Sequence, residues 1–312
     1  MNAALGSRFT PRAWLLFAVM ALVWGMPYLF IKEAVASLSP PAVVCIRTLG
    51  AALLLLPFAW RSGALRPALR VWPWVLVFGL IEMAGPFLLL GHAEQTLPSG
   101  LTGLLVATVP LFAAVIGFFT GDRGALGLVR VLGLAVGFAG VAVVVTGPGL
   151  AAGDGLAGLG AIGEVLAVAV LYAIAPFVVA TKLRGIPSLG TISLSLLFIG
   201  VGYLPFAILT QHSLPTTRSL LAVIALTVVC TAVAFLAFFA LIAEVGPARA
   251  PLFTYVNPIV AIALGVLLVG EELSPGLVLG FPLVIVGCWL AATGGRLRAR
   301  PRPGEPPAVA AG

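Results

Sequence analysis

The chain has 312 residues, 61% of them hydrophobic and only 9% charged, and a formal net charge of +7. A water-facing surface normally needs about a quarter charged residues, so a soluble globular domain is excluded and a bilayer is the natural solvent. A sequence pI near 10.0 with neither a basic stripe nor an interleaved aromatic platform excludes a nucleic-acid binder.

A membrane-spanning helix needs roughly 20 mostly apolar residues. Ten such runs predict an all-α membrane protein: Ala13–Val35, Pro41–Trp60, Val71–Gly91, Gly100–Thr120, Leu126–Thr146, Gly158–Thr181, Gly190–Leu209, Ser219–Ala240, Ala248–Val269 and Gly276–Gly294. Short turn-like links such as "SLSPP", "EQTLPS" and "EELSP" join them.

Arg8 and Arg12 precede the first run, and "AVA" at Ala34–Ala36 has the shape of a cleavage site. The run is longer than the roughly 7–15 residues of a signal core, so it is expected to stay as a span. Trp24 and Tyr28 lie one turn apart on one face of it. Arg47, in the second run, is about 9 Å from its nearer end at 1.5 Å per residue. It is expected to snorkel outward or to pair with Glu82 or Glu164.

Glu82 stands in the middle of the third run, with Gly79 and Pro86 on the same helical face. An ionised acid at that depth costs about 2–3 kcal/mol on insertion scales, so it is expected inside the bundle. Three roles are open to it: partner to a substrate ammonium, proton carrier, or structural acid. Glu164 lies at a depth similar to Arg47 in the sixth run. Tyr172 lies deeper in the same run. In the ninth, Tyr255 and Asn257 precede Pro258, where the missing N–H frees a carbonyl that needs a polar neighbour or a ligand. Glu271 and Glu272 are read as helix termination and solvated charge. Gly133, Gly137 and Gly140 in the fifth run, and Gly276 and Gly280 in the tenth, have small-xxx-small spacing. They are expected to form a packing surface or a homodimer contact. Cys45, Cys230 and Cys288 sit inside apolar runs as small hydrophobes with no metal-ligand spacing.

Charge sets the expected topology. With the N-terminus inside, 14 of the 17 Lys and Arg residues fall inside, Lys32 and Arg218 fall outside, and Arg47 lies within a span. Cytoplasmic loops are enriched in Lys and Arg, so both termini are expected to be cytoplasmic, in the plasma (inner) membrane.

The chain also repeats itself. Pro110 and Pro258 are 148 residues apart, as are Pro57 and Pro205, and Trp24 and Tyr172. This predicts a five-helix unit written twice: residues 1–150, then 151–296, with a disordered tail at 297–312. Because five is odd, the second unit enters from the opposite side and the repeats are inverted. That architecture belongs to many secondary transporters, whose substrate site lies between the repeats.

The segments "WGMPYLF" (Trp24–Phe30), "RTLGAALLLLP" (Arg47–Pro57), "PSGLTGLLVATVPLF" (Pro98–Phe112), "GPARAPLFTYVNPIVAIALGVLLVGEELSP" (Gly246–Pro275) and "GFPLVIVG" (Gly280–Gly287) resemble EamA-type transporters of the drug/metabolite transporter superfamily. The first copy departs from the pattern with "TGDRG" where the family shows Gly-Glu. The resemblance implies ten helices, a central cavity, and movement of small metabolites, often outward.

No protease, hydrolase or Walker-type signature occurs, so neither an enzyme nor an ATP-driven pump is expected, and no cofactor is called for. The reading is a small-molecule exporter for amino-acid-like or other small organic solutes, working by alternating access. An importer or a lipid-linked sugar flippase is the alternative, and an intramembrane enzyme a remote one. Expected cavity residues are Glu82, Trp24, Tyr28, Tyr172, Tyr255, Asn257, Arg47 and Glu164.

Overall fold

A computed structural model describes residues 10–119, 127–146, 155–246 and 250–293. Nine helices in it are long and apolar enough to span: α1 (Pro11–Val35), α2 (Pro40–Arg61), α3 (Trp72–Ala93), α4 (Ser99–Phe119), α5 (Leu128–Thr146), α6 (Leu156–Lys182), α7 (Ser188–Thr210), α8 (Thr217–Val245) and α10 (Pro275–Thr293). The remaining predicted run is the shorter α9 (Phe253–Val269). Its first turns are 3₁₀ over Ala250–Tyr255, which shortens the regular helix. The outer surface is apolar in a way water would not tolerate. Trp60 is 75% exposed and Leu156 89% exposed, as befits side chains facing lipid. The expected division near residue 150, the "TGDRG" segment and the tail all lie outside the described residues.

Helix pairing carries the inverted symmetry. Packed neighbours include α2 with α7, α4 with α9, and α5 with α10. Each of these joins a helix to its own counterpart in the other half. α3 packs on α6, and α8 on α1; these two pairs exchange when the halves are exchanged. Irregularities repeat as well. A π segment interrupts α3 at Leu80–Ala84 and α8 at Val228–Val233, and their first residues are 148 apart. α4 breaks at Ala107–Thr108, between Ser99–Val106 and Val109–Phe119. The 3₁₀-to-α junction of α9, at Tyr255–Val256, stands at the same offset.

α5 and α10 pack where side chains vanish. A Cβ on Gly287 would lie 2.3 Å from the Gly137 backbone, and one on Gly280 would lie 2.8 Å from the Gly140 carbonyl. Gly133 meets the Leu290–Ala291 backbone in the same way. Gly133, Gly137, Gly276 and Gly280 are all buried. The packing expectation therefore holds for Gly133, Gly137 and Gly280, whose Cβ faces meet atoms of the same chain.

Gly287→Ala is expected to destabilise the protein by about 1–3 kcal/mol, because the new methyl meets backbone that cannot rotate away. Gly160→Ala, an exposed helical position with nothing within 4 Å of the added Cβ, is expected to be neutral or slightly stabilising. Thermal melting of the purified protein in one detergent compares the two.

Candidate functional site

Breaking a helix in hydrocarbon frees carbonyls that must find donors, and here the breaks converge. α1 is interrupted at Trp24–Met26 ahead of Pro27. Gly25 N–H turns back to the Leu22 carbonyl at 3.0 Å, which leaves Ala21 O without its helical donor. The Asn257 side-chain amide fills the gap from α9. With its amide nitrogen turned toward these acceptors, the orientation its surroundings require, it donates to Ala21 O at 3.1 Å and to Phe253 O at 3.2 Å. In α8 the Thr231 hydroxyl donates to Leu226 O at 2.8 Å, and in α3 the Ala84 carbonyl accepts from the Tyr203 hydroxyl of α7 at 3.0 Å. Each irregular turn is thus closed by a side chain, and between them a cavity of about 270 Å³ opens.

Trp24, Tyr28, Arg47, Glu82, Tyr172, Tyr255 and Asn257 all line this cavity. Seven of the eight residues expected from the sequence are therefore brought together. The eighth, Glu164, is not. Its carboxylate meets His92 Nδ1 at 2.7 Å, away from the cavity. Its register on α6 turns it toward the end of α3, a direction that depth in the sequence does not encode.

Arg47 corrects a second expectation. It neither snorkels nor pairs with Glu82 or Glu164. Its Nε donates to Thr231 Oγ1 at 2.9 Å, and the guanidinium lies 3.8 Å above the Phe87 ring, a cation–π geometry. Arg47 is only 7% exposed, yet among the described residues its two terminal nitrogens bond to no protein group. Glu82 likewise makes no hydrogen bond or ion pair among the described residues. The cavity therefore holds one guanidinium fork and one carboxyl group that do not pair with each other.

The walls around these charges are aromatic. Trp24 packs against Phe235 at 5.8 Å, Phe238 at 5.1 Å and Phe253 at 5.4 Å between ring centroids. Sequence reasoning missed Phe87, Phe235 and Cys230 in the lining and Thr231 behind it. A signal for one was present: Cys230 stands 148 residues after Glu82, so it is Glu82's repeat counterpart.

One end of the bundle is sealed. There Ile31 and Leu90, which line the cavity, are buried together with Leu97 and Leu101, and polar ties lie further out. Lys32 Nζ donates to Leu97 O at 3.0 Å and stands 3.5 Å from Glu271 Oε1. Arg218 pairs with Glu33, and Gln211 accepts from Ser39 N at 2.7 Å. Glu271 corrects the reading of a solvated helix end. Gly270, at φ 72°, ends α9 in the left-handed region that favours glycine. The turn delivers Glu271 onto the start of α4, where its oxygens accept from Ser99 N at 2.8 Å, Ser99 Oγ at 2.9 Å and Gly100 N at 3.2 Å. A carboxylate there also meets the positive end of the helix dipole.

Asn257→Ala removes two donors from broken turns and is expected to cost about 1–3 kcal/mol of stability. A Tm drop of similar size to that of Gly287→Ala, with aromatic contacts at Trp24 loosened in its fluorescence, is the expected readout.

The model of the EamA-like transporter family matches the chain twice, over residues 11–146 and 160–293. The inner membrane transporter YedA of Escherichia coli K12, itself uncharacterized, is 30% identical over 285 residues, covering 83% of each chain. The uncharacterized transporter YvbV of Bacillus subtilis is 28% identical over 292 residues, covering 90% of this chain and 92% of its own. A solved crystal structure matches with a TM-score of 0.62 at 21% identity, covering 89% of this chain and 96% of that one; this likeness shows the fold alone. Matched in both halves, and 30% identical to a relative over most of its length, the chain belongs to the EamA-like transporter family and is a membrane transporter, not an enzyme.

Proposed function

We propose that this transporter carries small zwitterionic solutes of amino-acid type out of the cell, by alternating access between two inverted repeats joined near residue 150. The single observation behind the substrate class is the cavity's pair of uncommitted charges. The terminal nitrogens of Arg47 offer a planar fork for a carboxylate, and the Glu82 carboxylate offers an acceptor for an ammonium. No ion pair joins the two, so a ligand bearing both charges satisfies each without first breaking an internal bond. Trp24, Phe87 and Phe235 give its apolar part a surface to lie on. A cavity of about 270 Å³ suits a molecule of that size better than a lipid-linked sugar, which disfavours the flippase reading.

Outward direction and orientation rest on charge. Lys and Arg crowd the ends assigned to the cytoplasm, which puts both termini there. In that orientation the sealed Lys32 end faces outside. Reporter fusions at residues 65, 150 and 300 test the orientation. A cytoplasmic signal at 150 overturns it.

Substrate class is tested by counterflow in proteoliposomes, with competing solutes that carry only an amine, only a carboxylate, or both. Zwitterions are expected to compete best. Glu82→Gln is expected to weaken zwitterion competition by about 10- to 100-fold, the scale of one lost charged hydrogen bond, while sparing competition by carboxylate-only solutes. Arg47→Met reverses that selectivity. Equal loss for all three solute classes in both variants would sink the two-charge reading. Comparing metabolites in medium and cytosol, with and without the protein, then identifies the solute and its direction.

A further inference from the structure

We propose that Glu94, at the sealed end, is the site where this transporter binds a proton: closing the Lys32 end takes one proton up, and opening that end releases it. The inference rests on the alternating-access reading and adds to it a coupling ion and the residue that holds it.

Glu94 follows α3 directly and is 1% exposed. Among the described residues neither of its carboxylate oxygens completes a hydrogen bond of good geometry, although the Lys32 backbone amide lies close enough to favour the ionised form. Buried carboxylates are otherwise paired or neutral, so this one needs an occupant. The groups acting on it come from several elements. Lys32 and Tyr28 lie on α1, Arg47 on α2, and Glu271 on the link between α9 and α10. His92, on its own helix, is engaged by Glu164.

Lys32 is the obvious counter-ion, but it is already committed to Leu97 O and Glu271. Glu271 in turn is held by Ser99 and Gly100. With Glu94 ionised, Glu94 and Glu271 share the nearer cation, Lys32, and Arg47 acts on Glu94 only weakly. With Glu94 protonated, the Lys32–Glu271 pair is balanced by itself. A lone metal cation is a poorer occupant, because the Lys32 ammonium already fills the cationic place between the acids.

Burial raises the Glu94 carboxyl well above the ordinary carboxylate range; Lys32 and Arg47 pull it back and Glu271 pushes it further. Opening the Lys32 end would give Glu94 water and return it toward its ordinary range. The closed state is then the one with the raised pKa. Closure is favoured at low pH and is lost as pH rises through the closed-state value. Between the two values the closed-to-open ratio falls about tenfold per pH unit for one proton.

The step is read without any substrate. Spin labels are placed at Ala36→Cys and Leu273→Cys, two exposed positions at the Lys32 end, after Cys45, Cys230 and Cys288 are replaced. Distances are measured in lipid nanodiscs from about pH 5 to pH 9. A short distance is expected at low pH, with a longer population growing as pH rises. Glu94→Gln, which mimics the protonated acid, is expected to hold the short distance throughout. A distance invariant with pH in the parent, or a Glu94→Gln curve that follows the parent's, overturns the proposal. Because no solute is present, failure to transport any zwitterion would count against the substrate reading and leave this result standing.

Discussion

A backbone carbonyl stripped of its donor in hydrocarbon costs several kcal/mol, and this fold depends on how that cost is met. Ten straight apolar helices would satisfy every backbone group and bind nothing. A polar cavity requires that the ladder be broken, and each break must be repaired by a side chain from elsewhere. Asn257 repairs α1, Thr231 repairs α8, and Tyr203 repairs α3. The repairs do more than offset a penalty. Thr231, having donated to Leu226, accepts from Arg47, so the group that closes a π turn also aims the cation at the cavity. π turns recur at functional positions in helices, and here one physical cause supplies both the irregularity and the site.

Inversion sets the frame, and its violations set the chemistry. Glu82 in α3 corresponds to Cys230 in α8, and both line the cavity. Arg47 in α2 corresponds to Ser195 in α7. Each reaches the equivalent π-bearing helix of the other half: Arg47 bonds Thr231 of α8, and Ser195 donates to the Val75 carbonyl of α3 at 2.9 Å. The helix pairing is thus tied twice, once by a charge and once by a hydroxyl, at different depths: the counterpart of Thr231 is Met83, not Val75. Trp24 corresponds to Tyr172 with aromatic character retained. Shape is therefore symmetric about the cavity while charge is not. A substrate bearing two different charged groups meets a single orientation in such a site.

Much of this was legible in the sequence because the bilayer makes composition informative. Span length, the 148-residue offset and the rarity of intramembrane polar groups together point to seven of the residues that line the cavity. What escaped was direction. Depth along a span is encoded by counting residues, but the azimuth of a residue on a fully apolar helix is not. Glu164 and Arg47 lie at similar depths; one turns toward His92 and the other into the cavity. Glycine spacing announced a close helix approach without saying whose, and the partner proved to be the repeat counterpart in the same chain. Gly270 and Glu271 read as a simple helix stop because the helix start that the carboxylate caps is 172 residues away.

That long-range cap bears on how the two ends of the molecule differ. Glu271 holds the first turn of α4 and, through Lys32, the end of α1 as well. Letting go of it would expose Ser99 N and Gly100 N together with the Lys32 ammonium. Water can satisfy all three once the end is open, so the tie is reversible in a way that a buried apolar seam is not. The glycine seam between α5 and α10 is the contrasting case. There backbone meets backbone with no polar exchange available, and a shift of even an ångström would leave a void or a clash. The α5–α10 seam therefore resists sliding, while the polar ties around Lys32 are contacts that water could replace.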